Sequence, residues 1–160
     1  MTDDAGPALS LILPDEAATA RLAEALAAAA HPGDVIALRG DLGAGKTALA
    51  RAFVRARLQD PTEEVPSPTF TLVQTYDDPE TDALVWHFDL YRLEAPDDAL
   101  ELDLEDAFSD GICLIEWPDR LGGYLPRGRL DLTLTISSEA GGRTAVLSGP
   151  PHLLDAAKNA

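Results

Sequence analysis

Apolar residues near the start of the chain follow a clear pattern. Residues 9–13 form a short apolar run. After this run, Asp15 can cap a helix over about 16–30, in which Leu22 and Leu26 lie four residues apart on one face. The pattern therefore predicts an apolar segment followed by an alanine-rich amphipathic helix.

A buried strand and a second helix come next. His31-Pro32-Gly33-Asp34 breaks the first helix, and we interpret His31 as a helix-end residue rather than a ligand. Residues 35–38 are all apolar and predict a strand, whereas 47–58 predict a helix. Strand, connecting loop and helix thus follow one another in the order of a β-α unit.

Hairpin patterns appear further along the chain. Segments 70–76 and 83–89 flank an acidic, turn-like stretch and predict a β-hairpin. An acidic helix is expected near 99–108, and the apolar run 112–115 predicts another strand. The chain therefore changes from alternating helices and strands to paired strands.

The last pattern is a strict alternation of apolar and polar residues over 130–136, which predicts a strand. Residues 144–148 are expected to return as its partner after a turn at Gly141 and Gly142. We predict an α/β fold with a mixed central sheet, a parallel core and flanking helices. A single domain over 1–160 is expected, with its motifs within about 11–147 and a C-terminal tail at 149–160.

The loop between 35–38 and 47–58 carries the first chemical signal. Residues 40–47, Gly-Asp-Leu-Gly-Ala-Gly-Lys-Thr, match the phosphate-binding pattern G-x-x-x-x-G-K-[ST]. The glycines let backbone N–H groups converge on phosphates at the positive end of the next helix. Lys46 fits between β- and γ-phosphates, and Thr47 would supply a hydroxyl to Mg²⁺. The motif predicts a P-loop NTPase fold and a nucleoside triphosphate site.

A phosphate loop needs an acidic partner at the end of a neighbouring strand. This carboxylate holds Mg²⁺ directly or through water and polarises the attacking water. Asp89 ends one predicted strand and Glu116 ends another. The pattern alone leaves both open, and each could also be an ordinary strand-end acid.

Composition and charge narrow the function classes. The 160-residue chain has a formal net charge of -16, which argues against a broad nucleic-acid surface on this chain itself. The acidity favours solubility or steers a partner. No apolar stretch approaches a membrane span and the N-terminus lacks a signal-peptide pattern, so we expect a cytoplasmic protein. Cys113 lies in an apolar run and is expected to be a packed thiol.

Four ordered motifs together resemble one family. Residues 40–47 (GDLGAGKT), 67–73 (SPTFTLV), 87–93 (HFDLYRL) and 115–118 (IEWP) are similar to the signature set of the TsaE (YjeE) family, small bacterial P-loop ATPases. The resemblance implies ATP and Mg²⁺ as ligands and a role in making N6-threonylcarbamoyladenosine at position 37 of ANN-decoding tRNAs. It also implies TsaB and TsaD as partners, hydrolysis that depends on them, and contact with tRNA only through the complex.

The resemblance also implies roles for individual residues. Lys46, Asp89 and Glu116 would be catalytic, and Thr47, Glu116 and Asp89 would serve the metal. Segment 67–71 would be a switch-like loop in which Thr69 and Thr71 sense the γ-phosphate, and Trp117 would help to position Glu116. The expected nucleotide contacts lie in the loop, the helix start and the switch: Asp41, Leu42, Gly43, Ala44, Gly45, Lys46, Thr47, Ala48 and Thr69.

The same resemblance leaves the adenine contacts least defined, and we place them near Asp15 and Thr19. Ala48 departs from the family pattern, in which many relatives have a second threonine. Because Thr47 already holds the Mg²⁺ position, this departure leaves the core chemistry intact.

Three rival functions remain open at this point. A GTPase would explain the D-x-x-G sequence at 119–122, but the chain has no N-K-x-D motif to read guanine. A small-molecule kinase would need a basic lid and a second substrate pocket, for which a short chain leaves little room. A nucleotide-dependent binding module would use ATP as a conformational signal.

The arginines have equally open roles. Arg92 could reach the phosphates, contact a partner or tRNA, or pair with Glu94. Arg51 and Arg55 lie four residues apart with Arg57 nearby, and the favoured interpretation is a solvated helix face.

Overall fold

The computed structural model describes residues 8–137 and 142–160 and builds them around one sheet. The strands are β1 Leu9–Leu13, β2 Val35–Arg39, β3 Val73–Asp77, β4 Leu84–Asp89, β5 Ile112–Glu116, β6 Leu130–Ile136 and β7 Arg143–Ser148. The α-helices are α1 Glu16–Ala29, α2 Lys46–Leu58, α3 Leu104–Asp110 and α4 Pro151–Lys158, and 3-10 helices cover Pro96–Leu102 and Pro118–Tyr124.

The sheet has the strand order β1-β7-β6-β2-β5-β4-β3. The four central strands β6, β2, β5 and β4 run parallel, and β1, β7 and β3 pair antiparallel at the two sides. Parallel strands are buried on both faces, which explains why β2 and β5 are apolar up to their last residues, Arg39 and Glu116. The predicted mixed sheet with a parallel core is confirmed.

Two apolar layers cover the sheet. Helices α1, α2 and α4 pack on one face, where Leu26, Phe53 and Leu153 are fully buried. The 3-10 helices and α3 cover the other face around Leu121 and Phe88. Alternate residues of β5 serve the two layers, as expected for a strand buried on both sides.

The first helix follows the sequence pattern closely. Asp15 is its N-cap, and one carboxylate oxygen accepts a hydrogen bond from the Ala18 N–H at 2.9 Å. Leu22 and Leu26 both face the core. The helix ends at Ala29, and His31 lies just beyond it, as predicted.

The predicted acidic helix near 99–108 is wrong in its continuity. A 3-10 helix ends at Leu102, Asp103 adopts a left-handed φ of 59°, and α3 begins at Leu104. A left-handed residue cannot continue a helix, so the segment forms two short helices on either side of Asp103. Asp tolerates this conformation better than most residues do.

Both predicted hairpins form. β3 pairs with β4 and β6 with β7, although β3 begins at Val73 rather than at 70. Phe70 lies instead in a turn with 82% of its surface exposed. Gly141, which we placed in the last turn, lies outside the described residues.

The interpretation of the basic α2 face as solvated is wrong for Arg57, which is 4% exposed. Its guanidinium donates two hydrogen bonds to Asp78, at 3.0 and 3.2 Å, and bonds the carbonyls of Ala27 and Ala30. Arg51 and Arg55 bond backbone carbonyls of the segment that follows α2. These arginines therefore connect chain segments.

The segment called the C-terminal tail contains α4. Leu153, Leu154 and Ala157 are buried with α1 in the same apolar layer. At the start of α4, the His152 ring stacks on His31 with a 13° angle between the ring planes, and Asp34 lies 2.8 Å from His152 Nε2. A metal ion lies close to the plane of each imidazole that binds it, and two stacked, nearly parallel rings have no such position in common. We therefore interpret the contact as structural: it links α4 to His31 and Asp34, which lie between α1 and β2.

Two further features concern burial. Cys113 is fully buried, its thiol donates to the Ala107 carbonyl, and burial raises its pKa, so the prediction of a packed thiol is confirmed. In the part of the chain that the structure describes, none of the helices has the length and apolar character needed to cross a membrane.

Candidate functional site

The loop between β2 and α2 folds as a tight cradle of backbone. Gly40, Gly43 and Gly45 have φ values of 145°, 82° and 107°, which L side chains rarely adopt. At Gly40 a Cβ would lie 2.6 Å from the Leu134 carbonyl oxygen of β6. The glycines are thus needed for the curvature of the loop, and at Gly40 also for its contact with the sheet.

The Lys46 side chain folds back onto the loop and bonds backbone carbonyls there. Its ammonium donates to the carbonyl oxygens of Gly40 and Asp41, and lies 3.8 Å from the centre of the Trp117 ring. Burial lowers the pKa of this amino group, against the raising effect of nearby carboxylates, chiefly Glu116. A cation held by neutral acceptors in a recess lined by backbone is well placed to meet an anion.

Glu116 ends β5 directly beside the loop. Its Oε1 accepts a hydrogen bond from the Thr47 hydroxyl at 2.9 Å, and its Oε2 lies 2.7 Å from His87 Nε2. The carboxylate is almost completely buried. Thr47, at the start of α2, and Glu116 therefore form one cluster of oxygens.

Asp89 ends β4 opposite Glu116 in the parallel register. Its Oδ2 accepts hydrogen bonds from the hydroxyls of Ser67 and Thr69 at 3.3 and 3.1 Å, and its Oδ1 accepts from the Tyr91 N–H. The segment before β3 is thereby tied to the second acid. Leu72, where this segment ends, has a left-handed φ of 71°.

One cleft of about 410 Å³ joins these groups at the carboxyl ends of β2, β4 and β5, where ligands bind in open parallel sheets. Its lining consists of the loop, the start of α2, the 67–69 segment and the two strand ends: Leu42, Gly43, Gly45, Lys46, Thr47, Ala48, Ser67, Thr69, Asp89, Tyr91, Arg92, Glu116 and Trp117. Most of the residues predicted from the sequence therefore meet in one place.

Three residues predicted to contact the phosphates lie away from that lining. Asp41 and Ala44 border a separate depression beside β6, although both belong to the loop. The Thr71 hydroxyl accepts a hydrogen bond from Gln74 and does not line the cleft. Thr69 is thus the threonine of the segment that borders the cleft.

Arg143 is a site residue that sequence reasoning missed. From β7, its guanidinium donates to the carbonyls of Ala44 and Gly43, at 2.8 and 3.3 Å. These bonds stabilise the far side of the phosphate loop. Arg143 lies about a hundred positions after the loop in the chain, and no local pattern around it signals the contact.

Arg92 is one of the residues that line the cleft. Its guanidinium lies 4.6 Å from the centre of the exposed Phe70 ring, at the rim of the cleft. Across residues 8–137 and 142–160, no ion pair joins Arg92 to Glu94.

The D-x-x-G sequence at 119–122 has a structural contact of its own. Its first residue, Asp119, forms an ion pair with Arg39.

Comparison with known proteins agrees with this geometry. The family model described as "Threonylcarbamoyl adenosine biosynthesis protein TsaE" matches residues 13–145. The chain belongs to the TsaE family.

Individual members of the TsaE family show how far the likeness extends. A Rickettsia felis protein named tRNA threonylcarbamoyladenosine biosynthesis protein TsaE is 37% identical over 129 residues, covering 81% of this chain and 74% of its own. A Bacillus subtilis protein of the same name is 39% identical over 117 residues, covering 72% and 70%.

The fold of this chain also matches that of a solved structure. The crystal structure of Bacillus subtilis YdiB superimposes with a TM-score of 0.77 at 27% identity and covers 99% of this chain and 98% of its own. The P-loop NTPase fold predicted from residues 40–47 is therefore confirmed.

Proposed function

We propose that this chain is the ATPase subunit of the bacterial complex that makes N6-threonylcarbamoyladenosine at position 37 of ANN-decoding tRNAs. It hydrolyses ATP with Mg²⁺ together with TsaB and TsaD, and hydrolysis resets their complex between turnovers. One observation carries the proposal: a TsaE-family chain brings Lys46, Thr47 and Glu116 together in a single cleft. The names of its Rickettsia and Bacillus relatives support the pathway.

The oxygen cluster fits Mg²⁺. This ion prefers hard oxygen ligands, keeps several waters and takes one or two carboxylates alongside phosphates. Thr47 Oγ1 and Glu116 Oε1 are 2.9 Å apart, and a threonine hydroxyl with a strand-end carboxylate is the donor pair that P-loop NTPases use. When bound, Mg²⁺ neutralises charge on the β- and γ-phosphate oxygens.

The two acids have different surroundings, which supports different roles. Glu116 bonds the metal-side threonine, so we assign it to Mg²⁺, directly or through water. Asp89 bonds Ser67 and Thr69 instead. We assign Asp89 to the attacking water and to the position of the 67–71 segment, through which Thr69 senses the γ-phosphate.

Lys46 must exchange partners when ATP binds. Its ammonium now donates to two neutral carbonyls of the loop. A phosphate oxygen carries negative charge and a carbonyl oxygen does not, so the ammonium gains a charge–charge attraction and the exchange favours the phosphates. Trp117 covers the same ammonium and can follow it.

The base of the nucleotide has a separate place. A depression next to the loop is lined by Asp15, Glu16, Thr19, Gly45 and Ala48, among others. Gly45 and Ala48 border both this depression and the phosphate cleft, so the two spaces adjoin each other at the start of α2. We therefore place adenine between α1 and α2, beside Asp15 and Thr19.

Replacement of Lys46 tests the ATP site, and the chain supplies its own control. Lys46 and Lys158 are its two lysines, and Lys158 lies in the last turn of α4. We expect Lys46→Ala to weaken MgATP binding about 10- to 100-fold, because charge-assisted hydrogen bonds contribute about 1.5–3 kcal/mol. Lys158→Ala should bind as the wild type does. Calorimetric titration with equal affinities for all three proteins would contradict the site.

A further inference from the structure

His87 is a fully buried residue for which the proposed function gives no role. It lies on β4 two positions before Asp89, so both side chains point to the face of the sheet that carries α2. Its Nε2 lies 2.7 Å from Glu116 Oε2 on the neighbouring parallel strand. A histidine is thus in direct contact with the proposed metal-side carboxylate.

Glu116 is consequently held at both oxygens. Oε1 accepts a hydrogen bond from the Thr47 hydroxyl, and Oε2 shares a hydrogen bond with His87 Nε2. A rotation of the carboxylate would break at least one of these bonds, and little solvent reaches the group to replace it. Each carboxylate oxygen has further lone pairs, so the two bonds orient the group without filling it.

The direction of the His87–Glu116 hydrogen bond follows from the chemistry of its two partners. An ionised carboxylate only accepts hydrogen bonds, so the hydrogen between the two groups lies on Nε2. The other nitrogen, Nδ1, is buried and has no hydrogen-bond partner among the residues that the structure describes. A hydrogen there would be a buried donor without an acceptor, which also favours Nε2 as the donor.

We propose that His87 is a positioning residue, whose imidazole donates from Nε2 to Glu116 and fixes this carboxylate beside Thr47 for Mg²⁺. Outer partners of this kind set the orientation of metal-binding groups and influence metal affinity. The inference rests on the proposed function, because it takes Glu116 as the carboxylate that serves Mg²⁺.

Two substitutions in the full-length chain separate positioning from packing. His87→Gln keeps an N–H donor near the position of Nε2, whereas His87→Met fills the space without a donor. ATP binding is measured by calorimetry at increasing Mg²⁺ and again in EDTA, and thermal unfolding reports on packing. A long-range ¹H–¹⁵N NMR correlation reports which nitrogen of the wild-type ring carries the proton.

We expect the wild-type ring to carry a hydrogen on Nε2. His87→Met should raise the Mg²⁺ concentration needed for half-maximal tight ATP binding by about 10- to 100-fold. Its binding in EDTA should be unchanged, and His87→Gln should stay close to the wild type.

Several results would overturn the inference. A wild-type ring without a hydrogen on Nε2 would do so, even if His87→Met failed to fold. Unchanged Mg²⁺ dependence in His87→Met, or an equal loss of ATP binding with Mg²⁺ and in EDTA, would also overturn it. Failure of the proposed function looks different, since wild-type ATP affinity would then be independent of Mg²⁺, and the role of His87 toward the metal would fall with it.

Discussion

At the scale of single residues, Gly40 is the glycine of the loop where a side chain is least tolerated. It combines a φ of 145° with a Cβ position only 2.6 Å from the Leu134 carbonyl oxygen. Gly43 has a φ of 82° but nothing within 4 Å of its Cβ position. Replacement of Gly43 therefore introduces backbone strain alone, whereas replacement of Gly40 introduces both backbone strain and a steric clash.

We expect Gly40→Ala to lower the free energy of unfolding by about 3 kcal/mol or more, because strain and clash add. Gly43→Ala should cost only about 1–2 kcal/mol of backbone strain. Urea unfolding of both variants measures the difference. Equal losses would show that β6 yields to the loop and that the close contact is unimportant.

Single residues also show what the sequence could reveal about the site. Lys46 and Thr47 lie in a local pattern, and Asp89 and Glu116 end recognisable strands, so they could be named in advance. His87 had one usable signal, its position two residues before Asp89 on the same strand face. Arg143 had none, because its partners in the loop are distant in sequence.

At the scale of elements, Arg57 links three parts of the fold. It bonds the carbonyls at the end of α1, lies near the end of α2 itself, and pairs with Asp78 just after β3. Burial alone would raise the pKa of Asp78, but hydrogen bonds from Arg57, Thr81 and the Glu80 N–H lower it. The pair is therefore most favourable with Asp78 ionised.

Replacement of Asp78 tests this link through its pH dependence. Because the pKa is lower in the folded state, the contribution of Asp78 is complete above the unfolded value of about 3.9 and is lost as the pH falls through the folded value. We expect Asp78→Asn to be about 3 kcal/mol less stable at pH 7, since Arg57 then keeps a buried charge. The difference from the wild type should shrink below about pH 4.

Unfolding free energies of both proteins between pH 3 and pH 7 decide the matter. Asp77→Asn is a suitable control, because the neighbouring Asp77 is exposed and accepts no side-chain bond from Arg57. If the stability difference between the wild type and Asp78→Asn were the same at pH 3 and pH 7, an ionised Asp78 would not be the group that stabilises Arg57.

Most elements could be predicted because their signals are local. The Asp15 cap, the face of Leu22 and Leu26, and the apolar β2 and β5 all reflect neighbouring residues. The break at Asp103 could not, because its left-handed φ depends on how two short helices fit against the sheet. Burial of Arg57 likewise depended on a partner 21 positions away.

At the scale of the whole molecule, charge supports the division of labour in the proposal. The chain carries 28 acidic and 12 basic residues. Several arginines are engaged internally: Arg39 and Arg129 pair with acids, Arg57 is buried with Asp78, and Arg143 bonds the loop. Phosphate backbones bind surfaces rich in free basic groups, so tRNA is best held by other subunits of the complex.

The central claim is that partner proteins switch on ATP hydrolysis in this cleft. The most direct measurement compares the steady-state ATPase rate of the chain alone with its rate after addition of TsaB and TsaD, with Glu116→Ala as the inactive control. We predict a slow rate for the isolated chain, a marked increase with both partners, and no increase for Glu116→Ala. Equal rates with and without TsaB and TsaD, or full stimulation of Glu116→Ala, would contradict the account.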